Sequence, residues 1–219
     1  MFSIVIPIYD EEKNLELLLN EIQSNLIDFD KYEIILIDDF SKDNSLKVLE
    51  KFKNNDNILI LRNNENKGQS YSIHKGIKEA SHNTIVTIDA DGQIEAEDVI
   101  KFVEIARKES SDLVIGIRSY KNRFFERLLC LFGKARFSIS DPLCGVKLYN
   151  LEKAKNYFPF DSHRLVGMEL AFRMADGGAK ISQTNIDIRL REDHSRYGSS
   201  LKGELKILRS LFKSISFSK

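Results

Sequence analysis

Five short apolar runs, each trailed by a segment of polar or helical character, leave this chain few architectures to choose from. Ser3–Tyr9, Glu33–Ile37, Ile58–Leu61, Thr84–Ile88 and Leu113–Ile117 are dominated by Ile, Leu and Val and show little of the in–out alternation of a half-exposed strand. Between them, Leu15, Leu18, Leu19, Ile22 and Leu26 recur on one helical face. Leu46, Leu49 and Phe52 recur on a second, Ile73, Ile77 and Ala80 on a third, and Val99, Phe102, Val103 and Ala106 on a fourth. Ser41 stands where an N-cap would open the second helix. Strands apolar on both sides, alternating with helices, predict an α/β protein with a mostly parallel central sheet and helices on both faces. A length of 219 residues suits one domain.

In such a sheet ligands bind beyond the carboxyl ends of the strands. Acids gather there: Asp10, Glu11 and Glu12 after the first run, Asp38 and Asp39 after the second, Asp89 and Asp91 after the fourth. If the strand continued through TIDADGQIEAED, Asp89 and Asp91 would point to one side. Two such carboxylates repel unless a cation lies between them. An Asp-Gly turn would also account for the pair, and so would a divalent-cation site. The first loop reads PIYDEEKN instead of the G-x-G-x-x-G of a dinucleotide-binding turn. Its acids would repel a diphosphate bound directly to the helix N-terminus, so a metal ion must hold the phosphates. An Asp after the second strand can accept a hydrogen bond from a ribose or a base. A nucleotide with a divalent metal makes the acidic clusters mutually intelligible.

Other classes are excluded. Lys+Arg 33 against Asp+Glu 33 gives a formal net charge of zero, which argues against a general nucleic-acid binder. Cys130 and Cys144 form neither a CxxC motif nor a disulfide framework. No apolar run approaches the roughly 18 residues of a spanning helix, and MFSIVIPIYDEE turns acidic too early for a signal peptide. The expected location is cytoplasmic, with peripheral contact at the inner face of a membrane left open.

VIPIYDEEKNL, EIILIDDFSKDNS and NKGQSYSIHKGIKEASHNTIVTIDADGQIEAEDV, in that order, resemble the family 2 glycosyltransferases. SDPLCGVKLYN (Ser140–Asn150) and GIRS (Gly116–Ser119) are similar to segments of their polyprenyl-phosphate branch, the dolichol-phosphate mannose synthase-like transferases. The resemblance implies a GT-A fold, with residues 1–117 as the nucleotide-sugar-binding half and 118–219 as the acceptor half. It implies a UDP- or GDP-linked sugar donor, with Pro7, Tyr9, Glu11, Ile37, Asp38 and Asp39 around the nucleoside and Ala90 and Arg118 near the donor. Asp89, Asp91 and Gln93 would hold Mg²⁺ or Mn²⁺, for which hard oxygen ligands are suited. The ion would neutralise charge on the departing diphosphate. The family inverts the anomeric centre.

The acceptor side offers alternatives. Arg118, Lys121, Arg123, Arg127, Lys134 and Arg136 interleave with Phe124, Phe125, Leu128, Leu129, Leu131 and Phe132, with Glu126 the only acid. This is either a solvated basic helix face or a cationic, greasy site for a lipid phosphate. The stripe Leu201, Leu205, Leu208, Phe212 and Ile215 predicts a C-terminal amphipathic helix that packs in a core or between copies sooner than on a membrane. A phosphate acceptor needs no base, whereas a sugar hydroxyl needs a carboxylate within reach. Asp141 and Glu169 are the candidates; a turn before Pro142 and a plain helix face would account for them equally.

Departures from the family pattern stand out. Asp10 replaces the usual Asn. The late R-x-x-G-x-S-K motif is matched by SRYGSSLK with Arg196 and Lys202 one place late. The transmembrane tail frequent in the branch is absent from this sequence. TIDADGQI also comes close to the D-x-D-G-T of haloacid-dehalogenase phosphatases, but Gln93 replaces Thr and the second acidic pair lies upstream. A non-catalytic nucleotide-sugar sensor shares the fold class. His74, His82, His163 and His194 lack metal-ligand spacing. The expected function is metal-dependent inverting transfer of a sugar to a polyprenyl phosphate, with a sugar hydroxyl in cell-envelope polysaccharide biosynthesis as the alternative acceptor.

Overall fold

The computed structural model describes residues 1–27, 29, 31–119, 124–160, 168–189, 207–209 and 212. The chain runs β1 (Phe2–Ile8), α1 (Leu15–Asn25), β2 (Tyr32–Asp38), α2 (Ser45–Glu50), β3 (Ile58–Arg62), α3 (Gln69–Glu79) and β4 (Thr84–Thr87). It continues through α4 (Ala96–Glu109), β5 (Leu113–Arg118), α5 (Phe124–Phe137), β6 (Lys147–Asn150), α6 (Leu151–Lys155), α7 (Glu169–Asp176) and β7 (Ile181–Ile186). One seven-stranded sheet takes the order β3-β2-β1-β4-β6-β5-β7. All pairings are parallel except those of β6, which runs antiparallel to β4 and β5.

The uninterrupted apolar strands follow from burial on both faces. Ile4 and Ile6 of β1 and Ile34 and Leu36 of β2 pack with α1, α2 and α4, through Leu15, Leu19, Leu49, Val99 and Phe102. The alternate residues Val5, Ile35 and Ile37 pack with α3, α5 and α7, through Ile73, Ile77, Leu129 and Phe172. Period 2 along each strand thus feeds two cores at once. In α2 the buried face is Ser45, Val48 and Leu49, where the sequence pattern placed Leu46, Leu49 and Phe52.

Two strands escape sequence reasoning. β6 spans four residues and opens with Lys147, and β7 is an edge strand reading ISQTNI. Neither carries the apolar run that marks the others. The boundary drawn at residue 117 falls inside β5, and β6 and β7 join the same sheet as β1–β4. Reversal of β6 matters for the site. Lys147 lies opposite Thr87, so the segment just before β6 reaches the edge that β4 and β5 reach at their ends.

Candidate active site

The first two loops are laced together by the acids themselves. Backbone N–H groups of Asp10, Glu11 and Glu12 donate to Ser41 Oγ, Ser45 Oγ and Asp43 Oδ2 at 3.1, 2.8 and 3.0 Å. In return, Asp10 Oδ1 accepts from the N–H of Lys42 at 2.7 Å, and Glu12 Oε2 from that of Asn44 at 2.8 Å. Asp10 sits at φ +52°, a left-handed conformation that Asn and Asp tolerate better than most residues, so Asp can stand where Asn is usual. Ser41 does not cap α2. The N-cap position belongs to Asn44, which makes no side-chain cap bond, and Ser41 serves Asp10 instead. Glu11 is buried and accepts from Asn14 Nδ2 at 2.9 Å.

At the end of β2, Asp38 is wholly buried. Its Oδ1 accepts from Ser41 N–H at 3.1 Å, and its Oδ2 lies 3.1 Å from Arg62 Nε in an ion pair without hydrogen-bond geometry. Asp39 organises the approach to α3. Its Oδ1 accepts from Asn63 Nδ2 and Lys67 N–H, both at 2.8 Å, and its Oδ2 from Gly68 N–H at 2.7 Å. The next side chain, Gln69, donates its amide to Asp89 Oδ1 at 2.5 Å. Hydrogen bonds therefore run from Asp39 to Asp89 through three consecutive residues. Pro7 and Ile37 are register partners in β1 and β2, with Ile37 wholly buried; Tyr9 is half-buried beyond β1, and Ala90 is buried beside Asp89.

β4 stops at Thr87, so Asp89 and Asp91 lie on a turn and not on the strand extension that the sequence pattern suggested. Asp91 Oδ1 accepts from Gln93 N–H at 3.2 Å. Gln93 O accepts from Arg189 N–H at 2.9 Å, which pins the turn to the segment after β7. On the other side, the backbone of Gly145 presses against Asp89. A Cβ at Gly145 would stand 2.0 Å from Asp89 Oδ2, so only glycine lets the two segments meet. Among the described residues no third His, Cys, Asp or Glu joins this pair as a metal cluster. Two carboxylates on a turn closed by an amide residue suit an ion such as Mg²⁺, which is commonly held by one or two carboxylates and completed by substrate phosphates.

Arg118, the last residue of β5, meets Asp141 in the segment before β6. Arg118 Nε and Nη2 donate to Asp141 Oδ2 and Oδ1 at 2.9 and 2.8 Å, its backbone N–H adds a 3.1 Å bond, and Nη2 reaches Glu126 at 2.5 Å. Asp141 is wholly buried, and Glu126, on α5, nearly so. Burial alone would lower the Arg118 pKa; the hydrogen bonds and charge of Asp141, with Glu126, outweigh it and hold the guanidinium above its ordinary value. Nη1 makes no hydrogen bond among the described residues. Lys147 is buried beneath the same edge and donates to Cys144 O. Burial lowers its pKa, against the opposing charges of Cys144, Asp89 and Asp141.

Glu169 is buried and paired with Arg173 at 2.6 Å. On α5, Leu129, Cys130 and Phe137 are buried, while Phe124 and Leu131 are 67% and 64% exposed beside exposed Arg127 and Lys134. His74 packs against Phe158 and Phe160. Arg196, Lys202 and most of the C-terminal stripe lie outside the described residues; within the stripe, Phe212 is exposed and Leu208 half-buried. Sequence reasoning passed over Gln69, Gly145 and Lys147, although all three sit inside the quoted motifs. Their neutral, missing or buried side chains give no sign of function without the fold.

A mostly parallel sheet with one reversed strand, and paired carboxylates at its carboxyl edge, defines an α/β protein of the GT-A class. Residues 3–128 match the profile of Glycosyl transferase family 2, and the chain belongs to that family. An uncharacterized protein of Methanocaldococcus jannaschii is 28% identical over 217 residues, covering 90% of this chain and 92% of that one. A dolichol-phosphate mannosyltransferase of Pyrococcus furiosus is 36% identical over 119 residues, 54% of this chain and 33% of the enzyme. A dolichyl-phosphate beta-glucosyltransferase of Dictyostelium discoideum is 31% identical over 183 residues, 72% of this chain and 56% of the enzyme. The chain thus spans only part of the length of these two transferases. Glucosyl-3-phosphoglycerate synthase from Mycobacterium tuberculosis, solved with Mn²⁺, UDP and phosphoglyceric acid, superposes with a TM-score of 0.78 at 19% identity, over 98% of this chain and 78% of that one. S. aureus TarS in complex with UDP-GlcNAc gives 0.67 at 19% identity, over 98% and 66%. Likeness at that identity establishes the fold. Among the described residues no helix is long and apolar enough to cross a membrane.

Proposed function

We propose that this protein transfers a sugar, with inversion, from a nucleotide-diphosphate donor to a polyprenyl-phosphate-type lipid acceptor. The observation that carries the acceptor is the state of Arg118 and Asp141. Both oxygens of Asp141 are committed to Arg118, and Glu169 is committed to Arg173. Both carboxylates being engaged by arginines favours an acceptor that already carries an anionic oxygen. Arg118, held rigid by its two acids with Nη1 to spare, is suited to bind such a phosphate. The relatives named for dolichyl phosphate support the same reading.

Residues 1–117 would bind the donor, with Pro7, Tyr9, Glu11, Asp38 and Asp39 about the nucleoside and Ala90 beside the diphosphate. Asp89, Asp91 and Gln93 would hold Mg²⁺ or Mn²⁺, which supplies charge neutralisation for the departing diphosphate. Gln69 and Gly145 fix the Asp89 carboxylate. The acceptor oxygen forms its bond to the anomeric carbon as the bond to the diphosphate breaks on the opposite face. The exposed Phe124, Arg127, Leu131 and Lys134 of α5 are suited to a membrane surface that presents the lipid. Arg196 and Lys202 would add cations to the diphosphate.

The test is transfer from a panel of radiolabelled UDP- and GDP-sugars to polyprenyl phosphate in detergent. Formation of a lipid-linked sugar that requires Asp89 and Asp91 is expected. Transfer to free saccharides, with none to the lipid, would reverse the assignment of the acceptor.

A further inference from the structure

Phe40 adopts a left-handed backbone conformation, φ +65°. Glycine takes such a conformation freely, and a bulky L-residue only at a cost. The hydrophobic core does not demand the ring, since Phe40 is 40% exposed and joins neither core cluster. What the ring does meet is Arg62, whose guanidinium carbon lies 5.5 Å from the ring centroid. Arg62 Nε lies 3.1 Å from Asp38 Oδ2. Asp38 and Arg62 are register partners at the ends of β2 and β3, on the carboxyl edge of the sheet. One edge of the guanidinium is therefore held by a buried carboxylate, and the group sits over an aromatic ring. Even so, 47% of the Arg62 side chain stays open to solvent.

We propose that Phe40 and Arg62 form a stacking platform for the nucleobase of the donor. A strained residue kept at a ligand edge is a pointer to function when nothing in the packing requires it. Guanidinium planes and aromatic rings both stack on bases, and a ring behind the guanidinium adds a cation–π contact that keeps the plane in place. Asp38, too buried to move, sets the tilt of that plane through Nε. Phe40 is thus retained for the flat surface it supports, at the expense of backbone comfort. The inference rests on the nucleotide-sugar reading above and extends it to Phe40, which lies inside a quoted motif without a role there, and to Arg62, which lies outside those motifs.

The test is calorimetric titration of the full chain, with Mn²⁺ present, against UDP, GDP, CDP, ADP and dTDP, and against pyrophosphate as a probe without a base. Phe40→Gly is expected to leave Tm unchanged or raise it, because glycine suits the φ. The same change should weaken the best-bound nucleotide by about tenfold, the scale of one base–aromatic stack. Arg62→Lys, which keeps the charge and loses the plane, should weaken it similarly. Pyrophosphate binding should change in neither variant. Nucleotide binding unchanged in both variants overturns the platform. So does an equal loss of nucleotide and pyrophosphate, which would mark the pair as a loop brace. If no nucleotide binds the unaltered protein, the donor reading itself fails and the platform falls with it, an outcome distinct from the other two.

Discussion

Gln69 Nε2 lies 2.5 Å from Asp89 Oδ1, joining the first residue of α3 to the turn after β4. Gln69 follows directly on Lys67 and Gly68, whose N–H groups are bound by Asp39. An acid just after β2 thus holds the segment whose next side chain aims an acid after β4. A hydrogen bond to a charged group contributes on the order of 1.5–3 kcal/mol. Gln69→Ala should therefore weaken Mn²⁺-dependent nucleotide binding roughly tenfold or more, measured by calorimetry. Asp89→Ala should abolish it. An unchanged affinity in Gln69→Ala would leave the bond without a part in donor binding.

Gly145→Ala should act on the same carboxylate from the opposite side. A Cβ 2.0 Å from Asp89 Oδ2 cannot be accommodated without moving one segment. Overpacking of this kind costs about 1–3 kcal/mol of stability. The expected result is a lower Tm together with loss of metal-dependent nucleotide binding. Loss of stability with binding intact would show that the loop before β6, and not Asp89, gives way.

Arg118→Met leaves Asp141 buried with its charge unpaired. Breaking a buried pair by removing one partner costs about 3–5 kcal/mol, so a large drop in the denaturation midpoint is expected. Asp141→Asn keeps the shape and some of the hydrogen bonds, and should cost less. If the acceptor is a phosphate, Asp141→Asn retains transfer to polyprenyl phosphate; if Asp141 is a base, the rate falls by about 10²–10⁴.

The buried Lys147 predicts a pH dependence with a definite sign. Its folded pKa is lowered from 10.5 by burial. Below that lowered value both folded and unfolded chains carry the proton, and the desolvation cost is present in full. Between the lowered value and 10.5 the unfolded chain binds more protons, so stability rises with pH. The buried Cys144 thiol, pushed up to about 12, acts in the opposite sense above 9.0. Below 9.0, where the thiol is protonated in both states, comparison with Lys147→Met isolates the lysine. The variant should be the more stable at neutral pH, and its advantage should shrink as the pH approaches 10.5, followed by urea denaturation. A constant difference would mean that Lys147 stays charged throughout.

How much of this was readable from the residues varies by layer. β1, β2, β4 and β5 carry apolar runs because both faces are covered, while the edge strand β3 reads apolar with Leu59 38% exposed; the helix faces through Leu15, Leu18, Leu19 and Ile22 and through Val99, Phe102 and Val103 are buried as their spacing implies. β6 and β7 were invisible because four residues beginning with lysine, and a polar edge strand, lack that signature. At the site, residue types marked the edge but not the partners. Asp10, Glu12 and Asp39 appear in sequence as ligand-facing acids, yet in the fold they accept from backbone N–H groups of neighbouring loops. Arg118 and Asp141 lie 23 residues apart, and no local pattern announces that β5 and the reversed β6 bring them face to face.

The reversed direction of β6 has a bearing on how the two substrates could be recognised separately. Because β6 starts at the shared edge instead of ending there, residues 138–146 form a span anchored by Ser138 and Ile139 bonded back to α5 and by Lys147 set in the sheet. Changes in that span that spare Asp141 would reshape the ground beside Arg118 while the hydrogen-bonded ladder of β1, β2, β3 and β4 kept its alignment. Two positions in the span are fixed: Asp141, bonded to Arg118, and Gly145, which must stay slim enough to let the Asp89 turn pass. The geometry therefore separates positions of the span open to variation from two that are not.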